Sequence, residues 1–214
     1  MYWLLLSFFL LFSFPSEGAM VEGTNFSFVL AAPSTDPDGD GSTQQDTYAW
    51  ASGIFTSPAD IDEVTEMGLY YPTVGTGNPD WNIAVYAHDA GDGEPGAVVG
   101  SSGNGALPSD AGWAVRDGLS ISVSTSTSYW LGTWCAQDSG GSTNADRDTT
   151  LVAFDRHYRG GLGALPNPWG DSTGNFAGSY AIYALYTQVA EGRRIMIISG
   201  NYNPIFAYNV LGVN

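Results

Sequence analysis

The sequence predicts an all-β fold: a single antiparallel β-sandwich of jelly-roll type with additional strand-forming arms at the N and C termini. Short stretches alternate between apolar and polar residues, and clusters rich in Gly, Ser and Asp separate them. No helical periodicity is sustained over ten residues. A length of 214 residues suits one all-β domain of ordinary size.

The clearest strand signal is the segment 119–123, in which Leu, Ile and Val alternate with Ser. The segment 128–136 is apolar on both faces and therefore predicts a central strand. Further strands are predicted at 47–55, 67–71, 81–87, 149–154, 180–186, 194–198 and 204–211. Turn-forming clusters at 89–96, 101–112 and 138–148 punctuate the series.

The chain divides into four predicted segments. Residues 1–19 are a signal peptide or a buried apolar strand, because the apolar run from Tyr2 to Phe14 is too short to span a bilayer comfortably. Both alternatives place the protein outside the cytoplasm or make it an assembly subunit. We expect a secreted, extracellular or cell-surface protein without stable membrane insertion of the mature chain. The remaining segments are an N-terminal arm with an acidic linker at 20–46, the sandwich domain at 47–191, and C-terminal strands at 192–214 that pack on their own or a neighbouring sandwich.

The charge balance is strongly acidic, with 22 Asp and Glu against six Arg, and a formal net charge of −16. Such a surface repels nucleic acid and anionic lipid, and it favours divalent cations. Cys135 is the single cysteine, so no disulfide can form within the chain. Its place inside an apolar strand predicts burial as a small apolar residue.

A calcium site is the first candidate. Alternate carboxylates at Asp36, Asp38 and Asp40 are followed by glycine, as at the opening of a calcium loop, and Asp46 is the nearest acid to the closing position. The closing position itself is Thr47, and no helices flank the loop. A solvated acidic linker is the alternative. Two weaker acidic groups are explained as readily by turn chemistry: Asp89, Asp92 and Glu94, and Asp138, Asp146 and Asp148.

A carbohydrate site is the second candidate. Trp169 lies in a loop rich in Pro and Gly, where its ring could stack on a sugar while Asn167 or Asp171 bonds to the hydroxyls. The alternative, which we favour, is that Trp169 plugs one end of the sandwich.

Asn25 begins the one N-glycosylation sequon, Asn25-Phe26-Ser27. Its use requires a host that glycosylates and an arm that is accessible when the glycan is added.

The block from Thr47 to Thr187 carries GIFTSPADI at 53–61, MGLYY at 67–71, NIAVYAHDAGDGEPGAVVG at 82–100, GW at 112–113 and SYWLGTW at 128–134. These motifs resemble the jelly-roll, carbohydrate-binding-like β-sandwich domains of secreted bacterial surface proteins and phage fibre proteins, a family largely without assigned function. The resemblance implies successive sandwich strands, with a hairpin loop at the Asp-Gly-Pro-Gly region.

No catalytic motif is present, so we expect the protein not to be an enzyme. Two functions remain. The first is an extracellular structural subunit that assembles with copies of itself by strand addition, because the strand-forming arms, among them 24–30, must pair with something. An arrangement of that kind propagates into a filament or surface layer. The second is a carbohydrate-binding or adhesion module that binds glycans. The sequence favours the first only slightly.

Overall fold

The computed structural model describes residues 18–39, 41–137 and 142–189, and within them the fold is all-β, as predicted. No helix in this part of the chain is long and apolar enough to cross a membrane. The strands are β1 Gly18–Ala19, β2 Ser27–Val29, β3 Pro37–Asp38, β4 Gly41–Gln44, β5 Ala49–Thr56, β6 Ile61–Tyr71, β7 Asp80–Asp89, β8 Glu94–Ser101, β9 Gly105–Ala106, β10 Gly112–Arg116, β11 Ile121–Ser122, β12 Ser128–Cys135, β13 Asn144–Asp148, β14 Asp155–Arg159, β15 Gly174–Ala177, β16 Ser179–Tyr180 and β17 Ile182–Gln188.

Two main sheets form the fold. The larger runs β15-β14-β5-β12-β7-β8, with β9 also paired to β7, and all of its pairs are antiparallel. The smaller runs β10-β6-β17-β2, with β11 also paired to β6, and only its β17–β2 pair is parallel. A three-stranded sheet, β16-β13-β4, and the parallel pair β1–β3 complete the described strands.

One apolar core lies between the two main sheets. Phe55, Ile83 and Leu131 come from the larger sheet, and Met67 and Ile182 come from the smaller one; all five side chains are buried. Alternate residues of a strand point to opposite faces, so these period-two positions place one apolar face of each sheet against the other. The β-sandwich follows from this packing, while its jelly-roll type stays a prediction.

The predicted central strand is confirmed, because β12 lies between β5 and β7 and Cys135 at its end is buried. The segment 119–123 pairs only over Ile121–Ser122. The strand predicted at 149–154 is wrong. The Asp148 carboxylate there accepts hydrogen bonds from the Thr150 amide at 2.7 Å and the Thr150 hydroxyl at 2.6 Å, which makes a turn.

The arm predicted at 24–30 pairs within its own chain. Strand β2 lies beside β17, and Phe26, Phe28 and Val29 are buried in the sandwich core or against it. Residues assigned to the separate arm and linker therefore contribute strands β2 to β4 to the folded unit. The other apolar segments, 2–14, 194–198 and 204–211, lie outside the described residues.

Candidate functional site

An aromatic cleft opens where the three-stranded sheet meets the β14–β15 edge of the larger sheet. The cavity has a volume of about 290 Å³. Strand β4 supplies two polar residues. Strands β5, β14 and β15 of the larger sheet supply three aromatic residues, and the residue just before β5 supplies a fourth. The lining residues are Thr43, Gln44, Tyr48, Trp50, Tyr158 and Phe176.

Strand register explains why the aromatic residues meet. Trp50 on β5 is the register partner of Tyr158 on β14, and Arg156 is the register partner of Phe176 on β15, so all four share the inner face of the sheet. Gly174 lies opposite Tyr158. A Cβ at this glycine would lie 2.6 Å from the Tyr158 ring, so the missing side chain leaves the space that the ring occupies.

The rings form a partly exposed stack. Trp50 and Tyr158 stack at 4.8 Å between centroids, and Tyr158 and Phe176 stack at 5.9 Å with planes only 13° apart. Phe176 is 51% exposed, whereas Trp50 is held in place by a hydrogen bond from its indole nitrogen to the Gln44 carbonyl at 3.2 Å. A concave surface with exposed aromatic faces and a few polar groups has the form of a small-molecule site.

A buried cation lies beside this stack. Arg156 is 2% exposed, and its Nε and Nη2 atoms donate to the Ala177 carbonyl at 3.2 and 2.9 Å. The guanidinium carbon lies 5.8 Å from the Phe176 ring centre and 5.5 Å from that of Tyr180, which gives cation–π contacts on both rings. The third nitrogen, Nη1, has no hydrogen-bond partner among the described residues.

Two buried hydroxyl groups, those of Tyr180 and Thr43, lie beside Arg156. The Tyr180 hydroxyl lies within hydrogen-bonding reach of Thr43 and Arg156, although the angles of these contacts are poor. Burial raises the pKa of Tyr180, and the charge of Arg156 opposes that rise in part, so the hydroxyl is neutral and can donate. These three buried polar groups lie close together, and of the three residues only Thr43 lines the cleft.

A second aromatic cluster lies on the opposite face of the same sheet. It joins small residues of the sheet to large rings under the loop 160–173, and its buried members are Ala49, Ala51, Ala84, Tyr86, Trp130, Trp134 and Trp169. Trp169 is 0% exposed, packs edge-on against Tyr86 at 5.3 Å and donates to Ser172 Oγ at 3.0 Å. The structure therefore leaves no Trp169 face for a sugar, and the ring fills the outer side of the sheet rather than an end.

The neighbours predicted for a Trp169 sugar site are both exposed. The Asn167 side chain accepts a hydrogen bond from the Val98 amide at 3.1 Å, which ties the loop to β8. Asp171 makes no hydrogen bond to another described residue. The structure brings neither of them to a free aromatic face at Trp169.

Polar groups close this loop over the sheet. Ser172 donates to Glu94 through its amide and its hydroxyl, both at 3.0 Å, and His157 Nδ1 lies 2.9 Å from the same hydroxyl and 3.7 Å from Glu94. The three residue types match a hydrolase triad, but the geometry differs. In a triad the acid and the serine occupy opposite ring nitrogens of the histidine, whereas here both face Nδ1. Burial lowers the pKa of His157, and Glu94 partly opposes this.

The acidic loop packs beside β13. Asp36 is exposed, β3 pairs the backbone of 37–38 with β1, and Gly39 packs so closely against the Asp146 carboxylate that a Cβ there would overlap it. Asp46 is 8% exposed and accepts a hydrogen bond from Gln44 at 3.0 Å. The described residues contain no group of three metal-binding side chains. The Asp40 position and residues 138–141 lie outside the described chain, and nothing is described of the Asp38 side chain.

The acidic residues of the β7–β8 hairpin make hydrogen bonds that stabilise the turn and its surroundings. Asp89 Oδ1 accepts a hydrogen bond from the Gly91 amide at 2.9 Å, and the Asp89 carbonyl accepts one from Gly93 at 2.8 Å. Glu94 bonds to Ser172, as described above. The Asp89 and Glu94 contacts are those of a β7–β8 turn and its anchor to the loop 160–173.

Asn25 is buried in the folded chain, with 3% of its surface exposed. Its Oδ1 accepts from the Val21 amide at 2.7 Å, and its Nδ2 donates to the Ala19 carbonyl at 3.0 Å. A glycan on this nitrogen has no space in the finished fold.

Comparisons of the chain with protein-family models, with curated proteins and with solved structures found no match. The fold and the geometry of the cleft are therefore the basis for a functional proposal.

Proposed function

We propose that this protein is a non-catalytic glycan-binding module of an extracellular or cell-surface protein, with the aromatic cleft as its binding site. The observation that carries the proposal is the row of stacked rings from Trp50 through Tyr158 to the half-exposed Phe176. The apolar face of a sugar ring packs against such rings, and Thr43 and Gln44 supply polar contacts at the cleft wall.

The size of the cavity agrees with a short glycan segment. A volume of about 290 Å³ lies near the lower end of the range of roughly 300–1,000 Å³ for small-ligand sites. The cleft opens at the edge strand β15, so a longer chain would continue past Phe176 into solvent.

The test is a glycan array followed by calorimetric titration of the full chain with its best ligand. We expect Phe176→Ala to weaken binding about tenfold, or about 1.4 kcal/mol, because this half-exposed residue lines the cleft. Unchanged affinity in this variant would contradict the assignment of the site.

Val99→Ala provides the matched control. Val99 is a 39% exposed apolar residue on β8, the strand at the opposite edge of the same sheet. We expect its affinity to equal that of the native chain. Equal losses in both variants would show that binding responds to edge-strand changes in general.

The structural-subunit function remains a second candidate, supported by the sheet edges. Among the described strands, β15 and β8 end the larger sheet and β10 and β2 end the smaller one, and edge strands are where strand addition takes place. The pairing of β2 with β17 occupies the arm at 24–30, so a donor segment would have to come from another part of the chain. Electron microscopy and sedimentation of the full chain at high concentration test this candidate, and a monomer would contradict it.

Calcium binding through Asp36, Asp38, Asp40 and Asp46 stays part of the proposal as an accessory property. A cation that binds only the folded state raises the melting temperature by mass action. Melting of the native chain and of Asp38→Ala is compared in calcium and in chelator. Four equal melting temperatures would end the calcium prediction.

A further inference from the structure

We infer that the aromatic cleft selects a neutral sugar over an acidic one, and that Gln44 recognises this sugar through hydrogen bonds to its hydroxyl groups. Asp46 is a positioning residue that holds the Gln44 side chain in place. This inference rests on the proposed function and specifies both the ligand class and the polar contact of that same site.

Gln44 carries a polar side chain that a ligand can reach. It is exposed and lines the cavity, whereas the hydroxyl of its neighbour Thr43 is buried. A glutamine side chain loses much rotamer freedom when a ligand fixes it. A site therefore gains affinity when the protein has already fixed the side chain before the ligand arrives.

Two hydrogen bonds position Gln44. Its backbone carbonyl accepts one from the Trp50 indole nitrogen at 3.2 Å, which ties strand β4 to the ring stack. Its side-chain Nε2 donates the other to Asp46 Oδ2 at 3.0 Å. Asp46 is only 8% exposed, so the anchor is shielded from solvent while the carboxamide stays accessible.

The bond to Asp46 decides which end of the carboxamide is free. Because Nε2 faces the carboxylate, Gln44 Oε1 makes no hydrogen bond to a described residue and can accept one from a ligand. A sugar hydroxyl group can donate that bond. An ionised carboxylate only accepts, so it would meet Oε1 as one acceptor against another.

An acidic sugar has no counter-charge within reach in the cleft. The lining side chains are all uncharged. Arg156, the cation beside the ring stack, is 2% exposed and does not line the cavity. Asp46 makes no ion pair with a described residue, so its negative charge lies behind Gln44 without a neutralising cation. A ligand carboxylate would lose hydration without a partner, and Asp46 would repel it.

The binding test compares neutral and acidic probes by calorimetric titration of the full chain. The probes are cellotriose against the β-1,4-linked trimer of glucuronic acid, and the methyl ester of trigalacturonate against trigalacturonate. If neither neutral probe binds, a neutral glycan found on the array and its uronic acid form take their place. We expect the neutral member of each pair that binds to do so about tenfold or more tightly. All titrations contain a chelator, which separates this role of Asp46 from calcium binding.

The outcomes separate the two proposals. An acidic probe that binds as tightly as its neutral partner, or more tightly, would overturn the inference and leave glycan binding standing. Binding confined to acidic glycans on the array would do the same. No binding of any probe or array glycan would overturn both proposals.

Gln44→Met tests the polar contact, because it keeps the length of an exposed side chain and removes the carboxamide. It should weaken binding of the neutral probe about three- to tenfold. Gln188→Met is the matched control, since Gln188 is an exposed glutamine on β17 that also donates to an aspartate, Asp60. It should leave the affinity unchanged. No loss in Gln44→Met, or equal losses in both variants, would overturn the inference.

A double-mutant cycle tests the positioning role. Asp46→Ala releases the Gln44 amide and should weaken binding of the neutral probe about threefold, whereas Asp46→Asn can still accept from Nε2 and should restore most of that loss. In the Gln44→Met background, Asp46→Ala should cause no further loss, because its effect passes through Gln44. The same loss in both backgrounds would overturn the positioning role.

The charge of Asp46 gives a second measurement if circular dichroism shows that Asp46→Ala is unfolded. Asp46→Asn should reduce the preference for the neutral over the acidic probe about two- to threefold, because it removes the negative charge behind Gln44. Asp92→Asn makes the same charge change in the exposed β7–β8 turn and should keep the native preference. An unchanged preference in Asp46→Asn would overturn the role assigned to Asp46.

Discussion

Two aromatic clusters lie on the two sides of the larger sheet, and they differ in how many of their buried polar groups are hydrogen-bonded. On the outer face, the indole nitrogens of Trp130, Trp134 and Trp169 and the Tyr86 hydroxyl all donate hydrogen bonds, at distances from 2.9 to 3.1 Å. On the inner side, Arg156 Nη1 and the hydroxyls of Tyr180 and Thr43, which the three-stranded sheet contributes, make no hydrogen bond of good geometry to described residues, although Tyr180 lies within reach of the other two. The outer cluster is covered by a loop, while the inner one opens to solvent at Phe176.

This difference distinguishes a cluster that stabilises the fold from a cluster that can bind a ligand. A cluster whose polar groups are all satisfied within the chain gains stability from being closed and has nothing left to offer a ligand. A cluster that keeps exposed rings beside polar groups without good partners loses stability and gains the means to bind a ligand. We therefore expect the same substitution to have different consequences on the two faces.

The largest expected effect is on Trp169. Trp169→Ala should lower the free energy of unfolding by about 3–5 kcal/mol, because the ring is fully buried and its loss leaves a cavity under the loop 160–173. Urea unfolding followed by fluorescence gives the value. Phe176→Ala is the matched change on the open face and should stay within about 1 kcal/mol of the native chain. Similar losses in both would remove the distinction between the clusters.

A smaller effect comes from removing one tyrosine hydroxyl on each face. Tyr86→Phe should cost about 1–2 kcal/mol, because it deletes the 2.9 Å bond to the Pro166 carbonyl and leaves that buried carbonyl without this donor. Tyr180→Phe should be neutral or stabilising, since the hydroxyl that it removes makes no hydrogen bond of good geometry to any described residue. Urea unfolding of the two variants measures both values. A loss in Tyr180→Phe equal to that in Tyr86→Phe would mean that the inner hydroxyl is satisfied in solution.

The smallest effect is a pH dependence of the closed face. Burial lowers the pKa of His157 in the folded state, with Glu94 and then Asp155 opposing, while the unfolded chain has a value of about 6.5. Below that pH the unfolded chain binds a proton that the folded state resists. The neutral His157 therefore makes its full contribution to the free energy of unfolding above about pH 6.5. This contribution is lost as the pH falls towards the lowered pKa of the folded state.

Urea unfolding between pH 7.5 and 5.5 measures this contribution, and His157→Gln should flatten the dependence. The same slope in the variant and in the native chain would assign the pH response to other groups. Tyr180→Phe, on the open face, should keep the native slope.

The sequence predicted the framework better than the site. Alternation of apolar and polar residues identifies strands such as β7, and an apolar run on both faces identifies β12 as central. Both patterns are visible because alternate residues of a strand point to opposite faces of the sheet. Strands β13 and β14 were missed because three of the five residues in each of NADRD and DRHYR are charged, which hides the period-two pattern. In β14, Arg156 and Tyr158 face inward while His157 faces the outer cluster, so polar residues occupy both faces.

The cleft could not be read from the sequence because its residues are far apart along the chain. Thr43, Trp50, Tyr158 and Phe176 meet only through the register of β5, β14 and β15 and through the three-stranded sheet. The one available signal was the spacing of Arg156 two residues before Tyr158, with Phe176 and Tyr180 four residues apart further along the chain. Trp169 drew attention instead because Pro and Gly surround it, although such a loop covers an apolar surface as readily as it exposes a ring.

The parallel pairing of β2 with β17 sets an order of events during synthesis. Strand β2 emerges from the ribosome early, but its ladder partner is the last described strand of the chain, so the smaller sheet closes late. Until then Asn25, which is buried in the finished fold, is open to modifying enzymes. Where the host attaches glycans during translocation, we expect modification and closure to compete for this one side chain. Chains made in a glycosylating host would then differ at Asn25, in the turn before β2, from chains made in a host without that machinery.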